Sequence, residues 1–245
     1  MNGKSMKRFG SKADIVRNFV HDLVFPKRCL GCNRFDNFIC PECFELLGVK
    51  VNFCCPICNR EMMLPSVCSD CSDKSSLEKL WVVSDYGNEL TKKAIYLIKY
   101  NLYEQVSEVW DKLIVMYFEK ERFWPNEALL VPVPLHRKRY LERGFNQSVL
   151  IGEIIEKIKG NSINDNIIKR TIYGKHQATL DYKARIRSMD SCFALAKSGI
   201  SGIDLDREIV LIDDVYTTGA TMQECARTLK RAGFQRVYGF AMARG

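Results

Sequence analysis

Between residues 29 and 71 the chain carries four Cys-x-x-Cys pairs: Cys29/Cys32, Cys40/Cys43, Cys55/Cys58 and Cys68/Cys71. Nothing else restricts the fold of this stretch as strongly, because it has almost no periodic apolar pattern from which to build a core. A two-residue gap lets both thiolates of a knuckle reach one metal ion, and two knuckles complete a tetrahedral shell. Eight thiolates therefore suit two zinc ions, sulfur favouring zinc or iron–sulfur over hard cations. Seven residues separate the first two pairs and nine the last two. Sequential pairing into two consecutive zinc ribbons is the simpler arrangement; an interleaved one stays open. The plain alternative is a set of reduced buried thiols, which four regular pairs disfavour. With so little core, zinc is expected to supply much of the module's folding free energy. Cys54 reads as a bystander, and Cys192 and Cys225 as small core residues.

The formal net charge of +8 is unevenly placed: residues 1–28 hold seven Lys or Arg against Asp14 and Asp22. A basic balance suits nucleic acid, anionic phosphates or a solvated surface without choosing among them. No stretch is apolar for the roughly 18 residues a membrane span needs. Arg17, His21 and Asp22 interrupt the one run that could resemble a secretory signal. The expected compartment is the cytoplasm, where cysteines are read as metal ligands or thiols before disulfides.

Residues 1–11 read as disordered. From Lys12 to Phe25 apolar residues recur every fourth position, a one-sided helical pattern ended by Pro26. The expected organisation is a basic tail and amphipathic helix (1–28), a double zinc ribbon (29–71), a linker (72–79) and an α/β domain (80–245). Strands are expected at Leu80–Tyr86, Ala128–Val133, Asn166–Tyr173, Glu208–Ile212 and Arg236–Ala241. Helices are expected at Glu89–Tyr100, Glu104–Lys120, Asn146–Lys159 and Ala220–Ala232. Alternation of this kind implies a mostly parallel sheet with helices on both faces.

The most informative segment of that domain is Ile209–Ile212, a continuous apolar strand of the kind buried on both faces. It is expected to end in Asp213-Asp214, followed by Val215-Tyr216 and by Thr217-Thr218-Gly219-Ala220-Thr221 opening a helix. Backbone N–H groups at a helix N-terminus point at an anion, and the dipole favours negative charge there. Three threonine hydroxyls add donors, and Gly219 permits close backbone approach to a phosphate. The two carboxylates would repel phosphate but accept hydrogen bonds from ribose hydroxyls. These residues resemble the phosphoribosyl pyrophosphate (PRPP) motif of type I phosphoribosyltransferases, with Tyr216 where many members carry an aliphatic residue. The resemblance implies that Asp213 and Asp214 hold the ribose 2′- and 3′-hydroxyls. It also implies that the stretch Thr217–Thr221 holds the 5′-phosphate, with Mg²⁺ accompanying PRPP.

A second basic segment follows the Val131–Pro134 strand: Arg137, Lys138, Arg139 and then Arg143-Gly144-Phe145-Asn146-Gln147. Arginine pairs bidentately with phosphate oxygens; a solvated basic turn is the plainer reading. Several motifs occur in order: cysteine pairs, Leu97-Ile98-Lys99-Tyr100, Pro-Val-Pro-Leu-His, Arg-Gly-Phe-Asn-Gln, then Gln177, Leu180 and Arg185, then the PRPP loop. This succession resembles the ComF family of bacterial competence proteins over residues 20–244. The resemblance implies a role in natural transformation and the handling of incoming single-stranded DNA. A helicase or DNA-uptake protein is then a candidate partner. It also implies that Lys99 and residues 176–187 lie near the pyrophosphate or over it. Lys99, Arg137, Arg139 and Arg143 are the candidate leaving-group clamp. No general base stands out; His136 and His176 are more readily loop hydrogen-bonders. Two other functions fit the same sequence. One is a phosphoribosyltransferase acting on a nitrogenous acceptor; the other is an adaptor whose ribbons dock a DNA-uptake partner.

Overall fold

The computed structural model describes residues 28–35, 37–49, 51, 53–98, 103–171, 192–196 and 199–245, with backbone alone at 97, 98 and 103–107. Residues 1–27, including the helix expected at 12–25, and Lys99, His176, Gln177, Leu180 and Arg185 lie outside the described residues. The chain divides into two compact units, Met1–Leu46 and Leu47–Gly245.

In the first unit, Arg28 bridges Phe35 antiparallel around the Cys29–Cys32 turn. Helix α1 (Pro41–Glu45) then begins, with Cys40 as its N-cap and proline in its first turn. That position suits proline, whose missing N–H would have no partner there.

The second unit begins with a small hairpin, β1 (Phe53–Cys54) antiparallel to β2 (Glu61–Met62), and a 3-10 helix at Ser69–Lys74. The α/β body follows: β3 (Lys79–Asp85), α2 (Glu89–Ile98), α3 (Tyr103–Lys120), β4 (Leu129–Pro132), α4 (Arg137–Arg143) and α5 (Gln147–Lys159). It continues with β5 (Ile168–Arg170), β6 (Phe193–Leu195), β7 (Ile209–Tyr216), α6 (Ala220–Arg231) and β8 (Val237–Arg244). Strands pair in the order β3-β8-β7-β4, all parallel. The expected central parallel sheet with helices is present.

Alternation along the strands sorts the core into two faces. One face sends Leu80, Val82, Leu129, Val131, Ile209, Leu211 and Val237 against Met222, Cys225, Ala226 and Leu229 of α6. The other is aromatic. Phe240 stacks on Phe118 with ring centroids 6.1 Å apart and meets Trp124 edge-on at 5.7 Å. Two of the buried indoles find acceptors for their N–H groups, as such rings usually do. Trp81 donates to Glu121 at 3.1 Å and Trp124 to Asn161 at 2.8 Å.

Four elements depart from expectation. The strand read at 166–173 is short and stands outside the parallel sheet, pairing antiparallel with β6. β7 does not stop at the acidic pair. It runs on to Tyr216 because β8 extends beside it, Val215 opposite Ala243 and Tyr216 opposite Arg244. Helices α1 and α4, five and seven residues long, went unread. They are too short to display a 3.6-residue period. Residues 75–77 are held on α6: Ser76 N donates to Gln223 Oε1 at 2.7 Å, Gln223 Nε2 donates to Ser75 Oγ at 3.0 Å, and Leu77 is buried.

Candidate functional site

The carboxyl ends of β4 and β7 define one edge of the sheet. Val133 N donates to Ile212 O at 2.9 Å, so the Pro-Val-Pro segment leaves the sheet beside Asp213. His136 caps α4, its Nδ1 accepting from Lys138 N at 3.2 Å, which agrees with the loop role expected of it. Helix α4 buries no residue; Arg137, Lys138 and Arg139 are exposed and Arg143 is half-buried. Gly144, at φ +77°, ends α4. Asn146 then caps α5 and donates from Nδ2 to Val133 O at 3.0 Å. The Arg-Gly-Phe-Asn-Gln segment therefore pins a basic helix to the acidic pair's edge.

At that edge Asp213, Asp214 and Val215 are half-buried, and Thr217 and Thr218 are exposed. Gly219, at φ +73°, is the N-cap of α6 and offers no side-chain cap. A Cβ there would also overlap the ring hydroxyl of Tyr216, so glycine is required on two counts. The first turn of α6 carries no acid. Asp213 and residues 215–222 line a cavity of about 30 Å³ at this helix start. The arrangement offers helix amides and hydroxyls at one end and the Asp213 carboxylate at the other.

Burial, then the charge of Asp214, push Asp213 up to about 8, opposed by the Asp214 amide and Ser148. Ser148 Oγ donates to Asp213 Oδ1 at 3.3 Å. Arg170 of β5 lies close by. Burial and then Arg139 lower its pKa, while Cys192, Cys225 and Asp213 act the other way. Ser148 and Arg170 were not singled out from sequence, since neither belongs to a motif that would single it out.

The raised Asp213 has a thermodynamic consequence. Between about pH 4 and pH 8 the folded chain holds a proton that the unfolded chain has lost, so stability falls as pH rises through that window. Asp213→Asn removes this cost. Its melting temperature should match wild type near pH 4 and exceed it by several degrees at pH 8.5, at about 2–4 °C per kcal/mol relieved. A difference that shrinks with rising pH in calorimetric scans would contradict the assignment.

The thiols pair sequentially. Sγ atoms of Cys29, Cys32, Cys40 and Cys43 lie within 4.8 Å of one another, as do those of Cys55, Cys58, Cys68 and Cys71. The Cys32–Cys40 and Cys58–Cys68 sulfurs are each 3.6 Å apart. Four sulfurs at about 2.3 Å from zinc would be about 3.8 Å apart, so both groups could hold zinc ions. Cys40 N donates to Cys29 Sγ at 3.3 Å. Burial pushes the Cys55 thiol up, but amide donors from Cys58, Cys68 and Ile57 outweigh it and bring it down to about 6.

The two centres repeat a hexapeptide, Cys29-Leu-Gly-Cys-Asn-Arg34 and Cys55-Pro-Ile-Cys-Asn-Arg60. Asn33 and Asn59 both take φ +63°, a conformation asparagine tolerates. Each closes the same turn, Asn33 N to Cys29 O at 2.9 Å and Asn59 N to Cys55 O at 3.1 Å. Each arginine meets an acid two residues into the second knuckle, Arg34 with Glu42 at 3.5 Å and Arg60 with Asp70 at 2.8 Å. This repeat was legible in the sequence, and its meaning is the left-handed residue after each first knuckle.

Fold and site together define a parallel α/β body with a glycine-capped helix start beside paired acids, and two four-cysteine centres. No family model matches the sequence. Among curated proteins it is 28% identical over 215 residues to competence protein ComFC of Bacillus subtilis, covering 84% of this chain and 83% of that one. It is 25% identical over 246 residues to competence protein F of Haemophilus influenzae, covering 86% and 98%. It is 26% identical over 219 residues to DNA utilization protein YhgH of Escherichia coli, covering 88% of each. These matches support the ComF resemblance over most of the chain. Among solved structures, the AQ2163 protein of Aquifex aeolicus matches at 13% identity with a TM-score of 0.36, covering 66% of this chain and 86% of that one. Among the described residues no helix is long and apolar enough to cross a membrane.

Proposed function

We propose that this chain is a ComF-like protein of natural competence that binds PRPP and acts in the cytoplasm on incoming single-stranded DNA. The observation that carries the PRPP reading is the acid-free, glycine-capped start of α6 beside the Asp213–Asp214 pair. The names of the relatives, competence proteins and a DNA utilization protein, support the role in DNA uptake.

In this reading Thr217, Thr218, Gly219, Ala220 and Thr221 grip the 5′-phosphate through amides and hydroxyls. Asp213, Asp214 and the adjoining Val215 backbone hold the ribose side. Lys99, Arg137, Arg139 and Arg143 neutralise the pyrophosphate. Mg²⁺ would add charge neutralisation at the pyrophosphate, held through the ligand's own oxygens and water rather than an all-protein cage. If the site turns PRPP over, the bond from the anomeric carbon to pyrophosphate breaks through an oxocarbenium-like state. A nitrogenous acceptor then bonds to that carbon and loses a proton. The protein's part is positioning and electrostatic stabilisation. Acceptor-dependent pyrophosphate release separates that transferase reading from binding alone.

Single-strand binding should draw on α4, where Arg137, Lys138 and Arg139 flank the exposed Tyr140. Each phosphate contact contributes a slope of about −0.7 to log affinity against log salt. Replacing Arg137 and Arg139 with glutamine should reduce the salt slope for an oligothymidine by roughly 1.4. An unchanged slope would remove α4 from the DNA contact. Calorimetry with PRPP and Mg²⁺ tests the pocket itself, and no heat at millimolar ligand would reject it.

A further inference from the structure

Tyr216 stands where an aliphatic residue would suffice to fill the core, yet its hydroxyl is used. It donates to Pro56 O at 2.9 Å and receives Gln223 Nε2 at 3.5 Å. Pro56 is buried and lies between Cys55 and Cys58, two sulfurs of the second four-cysteine centre. Arg244, opposite Tyr216 in β8, makes a parallel link. Its Nη1 donates to Cys54 Sγ at 3.0 Å and Cys55 O at 3.2 Å, while its guanidinium carbon sits 5.1 Å from the Tyr216 ring centroid. The same ring underlies Gly219, whose backbone turns the corner into α6. One side chain therefore touches both the cysteine knuckle and the floor of the loop.

We infer that Tyr216 is a positioning residue through which the metal-bound shape of the Cys55/Cys58/Cys68/Cys71 centre sets the geometry of the 217–221 loop. The path is short. A metal draws the four sulfurs together, which fixes the Cys55–Cys58 turn and with it the Pro56 carbonyl. The carbonyl orients the tyrosine hydroxyl, and the ring supports Gly219 and the first amides of α6. Without metal the turn relaxes, the hydroxyl loses its acceptor and the loop loses its floor. Coupling of this kind is reciprocal: whatever anion the loop binds must steady the second centre by the same factor. Cys54, read from sequence as a bystander, serves here as an acceptor for Arg244. The anion's identity as PRPP rests on the proposed function; the coupling does not.

Two measurements on the full-length, zinc-loaded chain test this. In the first, amide hydrogen exchange at residues 216–222 is compared with and without chelator, in wild type and Tyr216→Phe. Removing zinc should speed exchange about tenfold or more in wild type. Tyr216→Phe should keep its zinc yet already exchange several-fold faster, so that chelation adds little. Equal exchange in zinc-loaded and zinc-stripped wild type would overturn the inference whether or not PRPP binds. In the second, cysteine alkylation under chelator is followed peptide by peptide, with and without Mg²⁺–PRPP. Ligand should slow alkylation of Cys55, Cys58, Cys68 and Cys71 about three- to tenfold, a range set by the worth of one hydrogen bond. Alkylation of Cys29, Cys32, Cys40 and Cys43 should stay unchanged, and the slowing should vanish in Tyr216→Phe. Slowing that is the same in the variant, or the same at both centres, would reject the link. Failure of PRPP to bind by calorimetry, with the exchange result intact, would instead reject the ligand and leave the coupling standing.

Discussion

A chain carrying Cys71→Ser should hold one zinc ion rather than two and melt roughly 10 °C below wild type. Beyond the Tyr216–Pro56 and Arg244–Cys55 hydrogen bonds and the Phe53–Phe123 ring contact, the second centre has little core of its own. Its buried cluster consists of Cys55, Cys68 and Cys71, with Met62 and Val67 partly buried against it. The β1–β2 hairpin contributes two residues per strand, and a hairpin so short is not stable in water alone. The Arg60–Asp70 pair is more than half exposed on both sides, and such pairs contribute little. Metal binding must therefore supply several kcal/mol of the local folding free energy. At about 2–4 °C per kcal/mol for a chain of this length, losing roughly 3–4 kcal/mol gives the stated shift. Metal content by mass spectrometry and a calorimetric scan read both quantities. The control is Cys54→Ser: Cys54 lies outside the four convergent sulfurs, so two zinc ions should remain. Two zinc ions and an unchanged melting temperature in Cys71→Ser would show that Cys71 is a packing residue and not a ligand.

The double replacement Asp213→Asn/Asp214→Asn should weaken PRPP about 100-fold while sparing inorganic phosphate. Hydrogen bonds to charged groups contribute about 1.5–3 kcal/mol each, and titration at about pH 9, above the value to which Asp213 is pushed, offers two such bonds at the ribose end in the proposed site. Losing two such bonds at the lower figure already exceeds a hundredfold. The phosphate end is a different set of atoms, the amides and hydroxyls of 217–221, and should bind inorganic phosphate within a few-fold of wild type. Because the ligand-free site holds Asp213 against burial and against Asp214, the variant should fold at least as well as wild type. Reduced affinity therefore could not be attributed to unfolding. Equal PRPP affinity would reject the carboxylate assignment, and equal loss for both ligands would mean that the loop itself had collapsed.

Much of this architecture could be read from residue order because its causes are local or periodic. The Ile209–Ile212 run, buried on both faces, announces a central parallel strand. Alternation with the helices at Glu89–Ile98, Gln147–Lys159 and Ala220–Arg231 implies the covered sheet. The Cys-x-x-Cys spacing implies metal knuckles, and glycine at 219 implies a backbone turn that other residues resist. These are statements about a residue and its near neighbours.

What the linear pattern left open are the meetings of distant segments. Sequential rather than interleaved cysteine pairing, Ser148 at Asp213, and β7 continuing to Tyr216 all depend on which neighbour lies alongside. The hydroxyl of Tyr216 reaches Pro56, 160 residues earlier in the chain. No local propensity encodes such a contact. A tyrosine in a strand needs only burial and some acceptor for its hydroxyl, and many acceptors would serve. The choice of Pro56 was made by tertiary packing, because β8 lies beside β7 and Arg244 engages the backbone and sulfur of Cys54–Cys55. The residue order thus determined the parts and their chemistry. The folded chain alone decided that a cysteine knuckle and the 217–221 loop share one tyrosine, since only three-dimensional packing brings an acceptor from one segment within bonding distance of a donor from another.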